Sequence, residues 1–244
     1  MKPLTKGRYR ARLATSRADG DAVLALRSKR FRGRQSCSDR DAYDALCDQG
    51  IVENTESGQV ICAFRLLSID EPSNIVGSYS GQFYDLTRLS RFGAGAVELG
   101  RFCCAPSGLD PDVLRLAWAA ITRYVDDRSA GLLFGCSSFV GADPAAHRGA
   151  LGFLGQNHRA PDAWRPIPKA SEAVALPAVP SPAAKGQGVL AQIPPLLRTY
   201  LAMGGWVSDH AVQDRDLDTL HVFTGVEIAA IPPRRAEALR ALAR

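Results

Sequence analysis

The chain has 244 residues, 46% of them hydrophobic and 23% charged, a globular balance long enough to bury a substantial core. No stretch approaches the roughly 20 apolar residues of a membrane span, and Met1 to Lys6 lacks the apolar run of a signal peptide, so the expected location is cytoplasmic. The net charge is +5, and the excess lies early: Lys2, Lys6, Arg8, Arg10, Arg12, Arg17, Arg27, Lys29, Arg30, Arg32 and Arg34 face only Asp19 and Asp21. Such a patch is either a solvated surface or a seat for phosphate, nucleic acid, anionic lipid or an acidic protein.

In chain order, Gly7 to Leu13 alternates as a strand does, and Arg17 to Arg30 reads as a helix with acids in its first turn. Ser38-Asp39 is placed to cap a short helix carrying Tyr43, Leu46 and Cys47. Ile51 to Glu53 and Val60 to Leu67 form a strand pair across the turn Thr55-Glu56-Ser57-Gly58. Gln82 to Leu89 reads as a short helix or turn, and Ala96 to Cys104 as a strand. Asp110-Pro111-Asp112 is a strong helix start, with a capping acid and a proline at the first position. That helix should run to about Asp127 and bury Val113, Leu114, Ala117, Trp118, Ile121 and Val125. Leu132 to Phe139 follows as a buried strand and Ala145 to Leu154 as a helix. Six prolines between Pro161 and Pro182 predict an extended excursion over about 160–192. A helix from Pro194-Pro195 through Met203, strands Val207 to Gln213 and Leu220 to Val226, and a basic exposed helix after Pro232-Pro233 complete the chain. This order predicts an α/β fold, a mixed central sheet with helices on both faces, in a single domain spanning 1–244.

The cysteines Cys37, Cys47, Cys62, Cys103, Cys104 and Cys136 are scattered and partly within apolar runs, which in a cytosolic chain reads as buried thiols. No Cys-x-x-Cys or His-x-x-x-His spacing suggests a metal. Glu98-Leu99-Gly100-Arg101 is the most telling stretch, because a charged pair inside an apolar strand is either a structural ion pair or a reactive site. Glu98 is the best candidate base, and Arg101 is suited to balance it or to grip an anion. Strict alternation puts the two on opposite faces, but a bulge at Gly100 would turn both toward one cleft. Asp41 and Asp44, three apart, share a helix face and either bind a cationic amine or face solvent. Arg65 interrupts the apolar run Ala63 to Leu67 and needs one of these acids as partner. The turn acids Asp209, Asp214, Asp216 and Asp218 are either solvated or a second amine site. His210 is read as an ordinary polar strand residue, and Cys103 or Cys104 as a nucleophile is a minor option.

Several segments in order resemble the GNAT acyltransferase superfamily and, more narrowly, the ornithine N-acyltransferases of ornithine-lipid synthesis. They are Leu26-Arg27 to Phe31, Asp41-x-Tyr43-Asp44, Phe64-Arg65-Leu66-Leu67, Gln82-Phe83-Tyr84-Asp85-Leu86, Glu98-Leu99-Gly100-Arg101, Leu133 to Phe139, and Pro194-Pro195-Leu196-Leu197-Arg198-Thr199-Tyr200-Leu201, within roughly residues 7–228. The related acyl-homoserine-lactone synthases share the spacing of Arg27, Phe31, Asp41, Asp44, Arg65, Glu98 and Arg101. The resemblance implies transfer of a 3-hydroxyacyl group from acyl carrier protein to the α-amine of ornithine, with Glu98 and Arg101 catalytic. It implies that Arg27, Phe31, Asp41, Asp44, Arg65 and Phe83 bind the acceptor. Phe102, Cys103, Cys104, Ser107 and Ser137 would then meet the acyl and pantetheine arm. No permanent cofactor and no nucleic acid are implied; carrier protein, amino acid and the cytoplasmic membrane surface are the expected partners.

Two departures stand out. The usual GNAT pyrophosphate loop is replaced by Cys103-Cys104-Ala105-Pro106-Ser107-Gly108-Leu109-Asp110, with a proline, one glycine and an acid. That loop is poorly built for a pyrophosphate, which favours the single phosphate of a carrier's pantetheine over coenzyme A. Ornithine enzymes also commonly carry a histidine after the position of Cys47, where this chain has Asp48-Gln49. Glutamine or another amino acid therefore stays open as acceptor, as do an acyl-homoserine-lactone-type reaction and, in another class, a basic membrane- or nucleic-acid-binding module.

Overall fold

The structure is a computed structural model, describing residues 1–33, 38–106, 110–177 and 187–243. In chain order the elements are β1 (Leu4–Lys6), β2 (Tyr9–Leu13), α1 (Arg17–Phe31), β3 (Asp48–Asn54), β4 (Val60–Ile69), β5 (Tyr84–Asp85), β6 (Ala96–Cys104), α2 (Pro111–Asp127), β7 (Leu132–Val140), α3 (Arg148–Asn157), β8 (Ile167–Pro168), β9 (Ala173–Ala175), α4 (Gln187–Gln192), α5 (Pro195–Ala202), β10 (Trp206–Asp214), β11 (Thr219–Glu227) and α6 (Pro233–Ala243). The class is α/β, a mixed sheet flanked by helices, as the element order predicts. Two compact units divide the chain: 1–68 with 97–130 and 233–244, and 69–96 with 131–232.

The first unit carries the strand order β1-β2-β3-β4-β6. The expected strand from Gly7 is in fact the second arm of a hairpin, with Leu4 paired to Ala11 and the chain reversing at Gly7, whose φ of 57° suits glycine. α1 begins in a reciprocal capping box: Asp19 N–H donates to Ser16 Oγ at 3.1 Å and Asp19 Oδ2 accepts from Ser16 N–H at 3.1 Å. The same carboxylate takes two hydrogen bonds from Arg12, which hold it well below the ordinary aspartate range. Gly50, in the middle of β3, is required by close approach: a Cβ there would lie 2.1 Å from the Phe64 ring opposite it on β4. α2 starts at the Asp110-Pro111 signal and buries Val113, Ala117, Trp118, Ile121 and Val125, with Leu116 rather than Leu114 inside. α6 packs on α2 through Ala243 and the Arg240–Asp126 ion pair at 2.9 Å. Much of the early basic excess is paired here: Arg10 and Arg12 with Glu53, Lys6 with Asp112, Arg17 with Asp21.

The second unit carries β7-β11-β10-β9, all antiparallel, and the separate pair β5-β8. β8, β9 and α4 fall within the proline-rich stretch expected to be an extended excursion; 178–186, at its centre, lie outside the described residues. The expected helix from Ala145 starts as a 3-10 turn, Pro144–His147, capped by Asp143, and becomes α-helical at Arg148. At the β10–β11 turn Asp214 and Asp218 hold backbone, and Asp216 and Asp218 are exposed. Asp214 Oδ1 accepts from the N–H groups of Asp216 and Leu217, and Asp218 Oδ1 from Ala142 N–H. Among the described residues no helix is long and apolar enough to cross a membrane.

Candidate active site

The site of greatest charge density lies in the first unit, on the face of β3, β4 and β6 that α1 covers. Ser38-Asp39 caps no helix. Asp41 caps a 3-10 turn, Ala42–Ala45, accepting from Tyr43 N–H at 2.9 Å while Asp44 returns a hydrogen bond to Asp41 N–H at 3.0 Å. Leu46, which follows the turn, is exposed. The turn leaves three carboxylates facing four guanidinium groups. Arg27, 1% exposed, donates from Nε to Asp39 Oδ2 at 2.9 Å, from Nη2 to the Asp39 carbonyl at 2.7 Å and from Nη1 to Asp44 Oδ1 at 2.5 Å. Arg65 donates from Nη1 to Asp41 Oδ1 at 2.6 Å and Asp44 Oδ1 at 3.1 Å. Arg101 reaches Asp39 Oδ2 at 3.0 Å and Asp41 Oδ2 at 3.4 Å, and Arg32 Nε lies 3.3 Å from Asp39 Oδ1. Gln49 Nε2 donates to Asp44 Oδ1 at 3.3 Å.

Asp41 and Asp44 are thus held by the protein's own arginines. Burial would raise the Asp44 carboxyl, but the hydrogen bond from Arg27, the Asp41 N–H and the charges of Arg27 and Arg65 keep it below its ordinary value. Arg65 is pulled down by burial and pushed up further by its hydrogen bond to Asp41, ending raised. Asp39, absent from the candidate residues, is the hub: it is fully buried and binds three of the four arginines. Its only signal in the sequence was the run of acids Asp39, Asp41 and Asp44 directly after a basic stretch.

Glu98, 4% exposed, joins this face. The residue that turns it is Arg101, not Gly100: Arg101 has φ 50°, left-handed backbone rare for a side chain with a Cβ. A Cβ at Gly100 would point at Arg65 Nε, 3.6 Å away, and Arg101 points to the same acids that hold Arg65. Two consecutive residues on one face mark a bulge, so Glu98, two before Gly100, shares the face with Arg101. The surroundings agree. The Tyr43 hydroxyl is raised by burial and then by the charges of Glu98 and Asp41, and burial pushes the Cys47 thiol up to about 12, with Glu98 adding to it. The Arg101 guanidinium lies over Phe31, 5.6 Å from the ring centroid.

Beyond the bulge the alternation resumes. Phe102 turns to the opposite face and stacks on Phe64 at 5.9 Å. Cys103 returns to the α1 side, in an apolar cluster with Val23, Leu26, Ile51, Ala63 and Ala105, and burial pushes its thiol up to about 12. That is the wrong direction for a nucleophile. Cys104 differs: a hydrogen bond from Cys62 lowers it against the opposing effect of burial. Ser107 lies outside the described residues, as does Cys37.

Phe83 and Ser137 belong to the second unit, and they face opposite sides of its sheet. Phe83 meets the His221 ring at 4.9 Å, on the side where Tyr84 packs against Phe223 and Ser80 Oγ lies 3.4 Å from Cys136 Sγ. Ser137, one residue on from Cys136, points the other way; it is buried and accepts from Thr224 Oγ1 at 3.0 Å. Among the described residues no group of three or more His, Cys, Asp or Glu is arranged to hold a metal ion.

A buried carboxylate on a strand with a left-handed residue three positions on suits amine deprotonation, and residues 25–119 match the family described as acetyltransferase (GNAT) domain. An N-acyl amino acid synthase from uncultured soil microbes shares the fold, with a TM-score of 0.50 at 8% identity over 92% of this chain and 94% of that one. The fold is thus of the GNAT class. The chain is 34% identical over 93% of its length to the L-ornithine N(alpha)-acyltransferase of Brucella abortus (strain 2308), covering 87% of that protein. To the protein of the same name from Rhizobium meliloti (strain 1021) it is 32% identical over 91% of its length, covering 81%. The chain belongs to the L-ornithine N(alpha)-acyltransferase family.

Proposed function

We propose that the protein moves a 3-hydroxyacyl group from a carrier-protein thioester to the α-amine of ornithine, with Glu98 as the base. The observation that carries this reading is the placement of Glu98: buried, ionisable, and turned by the bulge at Arg101 onto the face of the acid–arginine network. The nitrogen lone pair attacks the thioester carbonyl carbon while Glu98, directly or through a water, takes the ammonium proton. Backbone N–H donors beside the bulge receive the oxyanion. Collapse breaks the C–S bond, leaves an amide, and returns the proton to the departing pantetheine sulfur.

In this reading the arginines and aspartates are the scaffold of the acceptor site. Four arginines (Arg27, Arg32, Arg65, Arg101) meet three aspartates (Asp39, Asp41, Asp44), so with Glu98 ionised the charges of these eight groups cancel. Arg101 acts as a positioning residue for Glu98, its conformation set by Asp39 and Asp41. A carrier donor is supported by the proline- and acid-bearing loop after Cys104, and by the exposed Lys29 and Arg30 at the end of α1, which suit an acidic protein. The product is amphiphilic, so contact with an anionic membrane surface follows.

The test supplies purified protein with 3-hydroxyacyl carrier protein, or the matching coenzyme A ester, together with ornithine or each common amino acid, and reads products by mass spectrometry. N-acylornithine from the carrier donor is the expected product. Acylglutamine as the main product moves the acceptor; dependence on S-adenosylmethionine moves the enzyme to the lactone synthases. No acylated product with any pair overturns the proposal.

A further inference from the structure

Cys62 and Cys104 both lie in the first unit, and the transfer chemistry assigned to Glu98 uses neither. The strands that carry them, β4 and β6, are neighbours in the sheet. Three contacts give their register. A Cβ on Gly100 would lie 3.6 Å from Arg65 Nε, the Phe102 ring stacks on Phe64, and Ala105 N–H donates to the Ile61 carbonyl at 2.7 Å. Positions rise along β6 as they fall along β4, so the two strands run antiparallel. The Ala105–Ile61 bond joins the residue after Cys104 to the residue before Cys62. In an antiparallel ladder such a bond flanks two residues that stand directly opposite without exchanging hydrogen bonds of their own. The Cα atoms of such a pair are about 4.5 Å apart, and their side chains are close.

Cys62 and Cys104 are that pair. Alternation puts them on the face of Phe64 and Phe102, and the two thiols are hydrogen-bonded to each other. A Cα separation of about 4.5 Å lies within the range that a disulfide spans without backbone movement. Cys103, next to Cys104 in sequence, is on the opposite face, packed with Ala63, Ala105 and the α1 residues Val23 and Leu26. The paired sulfurs are not equivalent. Cys62 is fully buried and Cys104 half-buried. The hydrogen bond from Cys62 lowers the Cys104 thiol against the effect of burial, with the charge of Arg30 assisting, while burial first and Cys104 second raise the Cys62 thiol. The thiolate is the nucleophile, so Cys104 reacts first. A reactive thiol beside a second thiol carries oxidation to a disulfide, where an isolated one goes past the sulfenic acid.

We infer that Cys104 and Cys62 form a reversible disulfide under peroxide, with Cys104 as the reactive thiol and Cys62 as its resolving partner. The Cys104 thiolate attacks one oxygen of hydrogen peroxide and breaks the O–O bond. Cys104 becomes a sulfenic acid, and the hydroxide released takes up the proton that the thiol had lost. Cys62 Sγ then attacks the sulfenic sulfur. The S–S bond forms as the S–O bond breaks, and the hydroxyl leaves with the Cys62 proton as water. Two thiols are oxidised, and one peroxide is reduced to two waters. The bond ties the end of β6, the strand of Glu98 and Arg101, to β4, the strand of Arg65.

The test treats the purified chain with hydrogen peroxide, blocks the remaining thiols with iodoacetamide in denaturant, and maps peptides without reductant by mass spectrometry. It reads thiols directly and needs no turnover. The wild type should lose the free thiols of Cys62 and Cys104 together and give a peptide linking them, and dithiothreitol should return both. Cys103→Ala should give the same linkage. In Cys62→Ala the linkage is lost and Cys104 proceeds to sulfinic acid, which dithiothreitol does not reverse. Cys104→Ser should leave Cys62 as a free thiol. A thermal melt accompanies the Cys62 variant, because that residue is buried, and the wild-type map decides alone if the variant does not fold. Linkage of Cys104 to any other cysteine, sulfinic acid at Cys104 with Cys62 still free in the wild type, an unreacted Cys104, or a folded Cys62→Ala that resists over-oxidation overturns the inference.

Discussion

The two units bury polar groups by different means. Around Asp39 in the first unit, arginines and carboxylates are gathered into one buried ion-paired network. Around His221 in the second, the Tyr84 hydroxyl bonds the His221 carbonyl at 2.9 Å and lies 3.0 Å from Nδ1. Ion pairing shared among several partners fixes geometry in the first unit, while aromatic packing around a neutral ring does so in the second. Asp41 and Asp44 are engaged by the chain's own arginines, whereas His221 is held by Tyr84 and aromatic rings.

The sharpest way to break this contrast is Asp39→Ala. It leaves the guanidinium groups of Arg27, Arg32 and Arg101 without their shared carboxylate, and breaking a buried pair costs about 3–5 kcal/mol. Urea unfolding should show a loss of this size; a loss below about 1 kcal/mol, the range of an exposed pair, would mean the network is not the scaffold. Gly50→Ala comes next. The added Cβ meets the Phe64 ring at 2.1 Å, and such overpacking costs about 1–3 kcal/mol, read by the same titration.

The pH dependence of stability separates the two regions. Asp44 is depressed in the folded state, so its contribution is full above the unfolded carboxyl value of about 4 and is lost as pH falls through the lower folded value. His221 is also depressed, from 6.5 to about 4, but as a base it works in another window. The unfolded chain binds the proton first, so stability falls as pH drops from about 6.5 toward 4. Denaturant midpoints across pH should flatten between those values in His221→Phe and only below them in Asp44→Asn. The smallest effect is on the thiols: Cys104, lowered by Cys62, should alkylate before Cys103, which burial holds up at about 12. Peptide mapping after brief iodoacetamide treatment reads the order, and equal labelling would contradict it.

Elements with strong local signals were legible in the sequence. Asp110-Pro111 marked the start of α2 and the apolar run Ala96 to Cys104 marked β6, because caps and burial patterns are local. β1 was not, since three residues of strand owe their existence to pairing with β2. Asp39 read as a cap because sequence cannot distinguish a carboxylate that bonds backbone from one that gathers arginines across β6 and α1. The bulge was expected at Gly100 on propensity, yet the left-handed residue is Arg101, whose hydrogen bonds to Asp39 and Asp41 override that preference. Ser137 and Phe83 looked alike as site residues until strand alternation placed them on opposite faces.

The central claim is that Glu98 removes the proton from the attacking amine. Turnover of Glu98→Gln with 3-hydroxyacyl carrier protein and ornithine tests it most directly, alongside a thermal melt of the same preparation. The account predicts kcat lower by about 10²- to 10⁴-fold with the melting temperature kept. Near-normal turnover in the folded variant would contradict it.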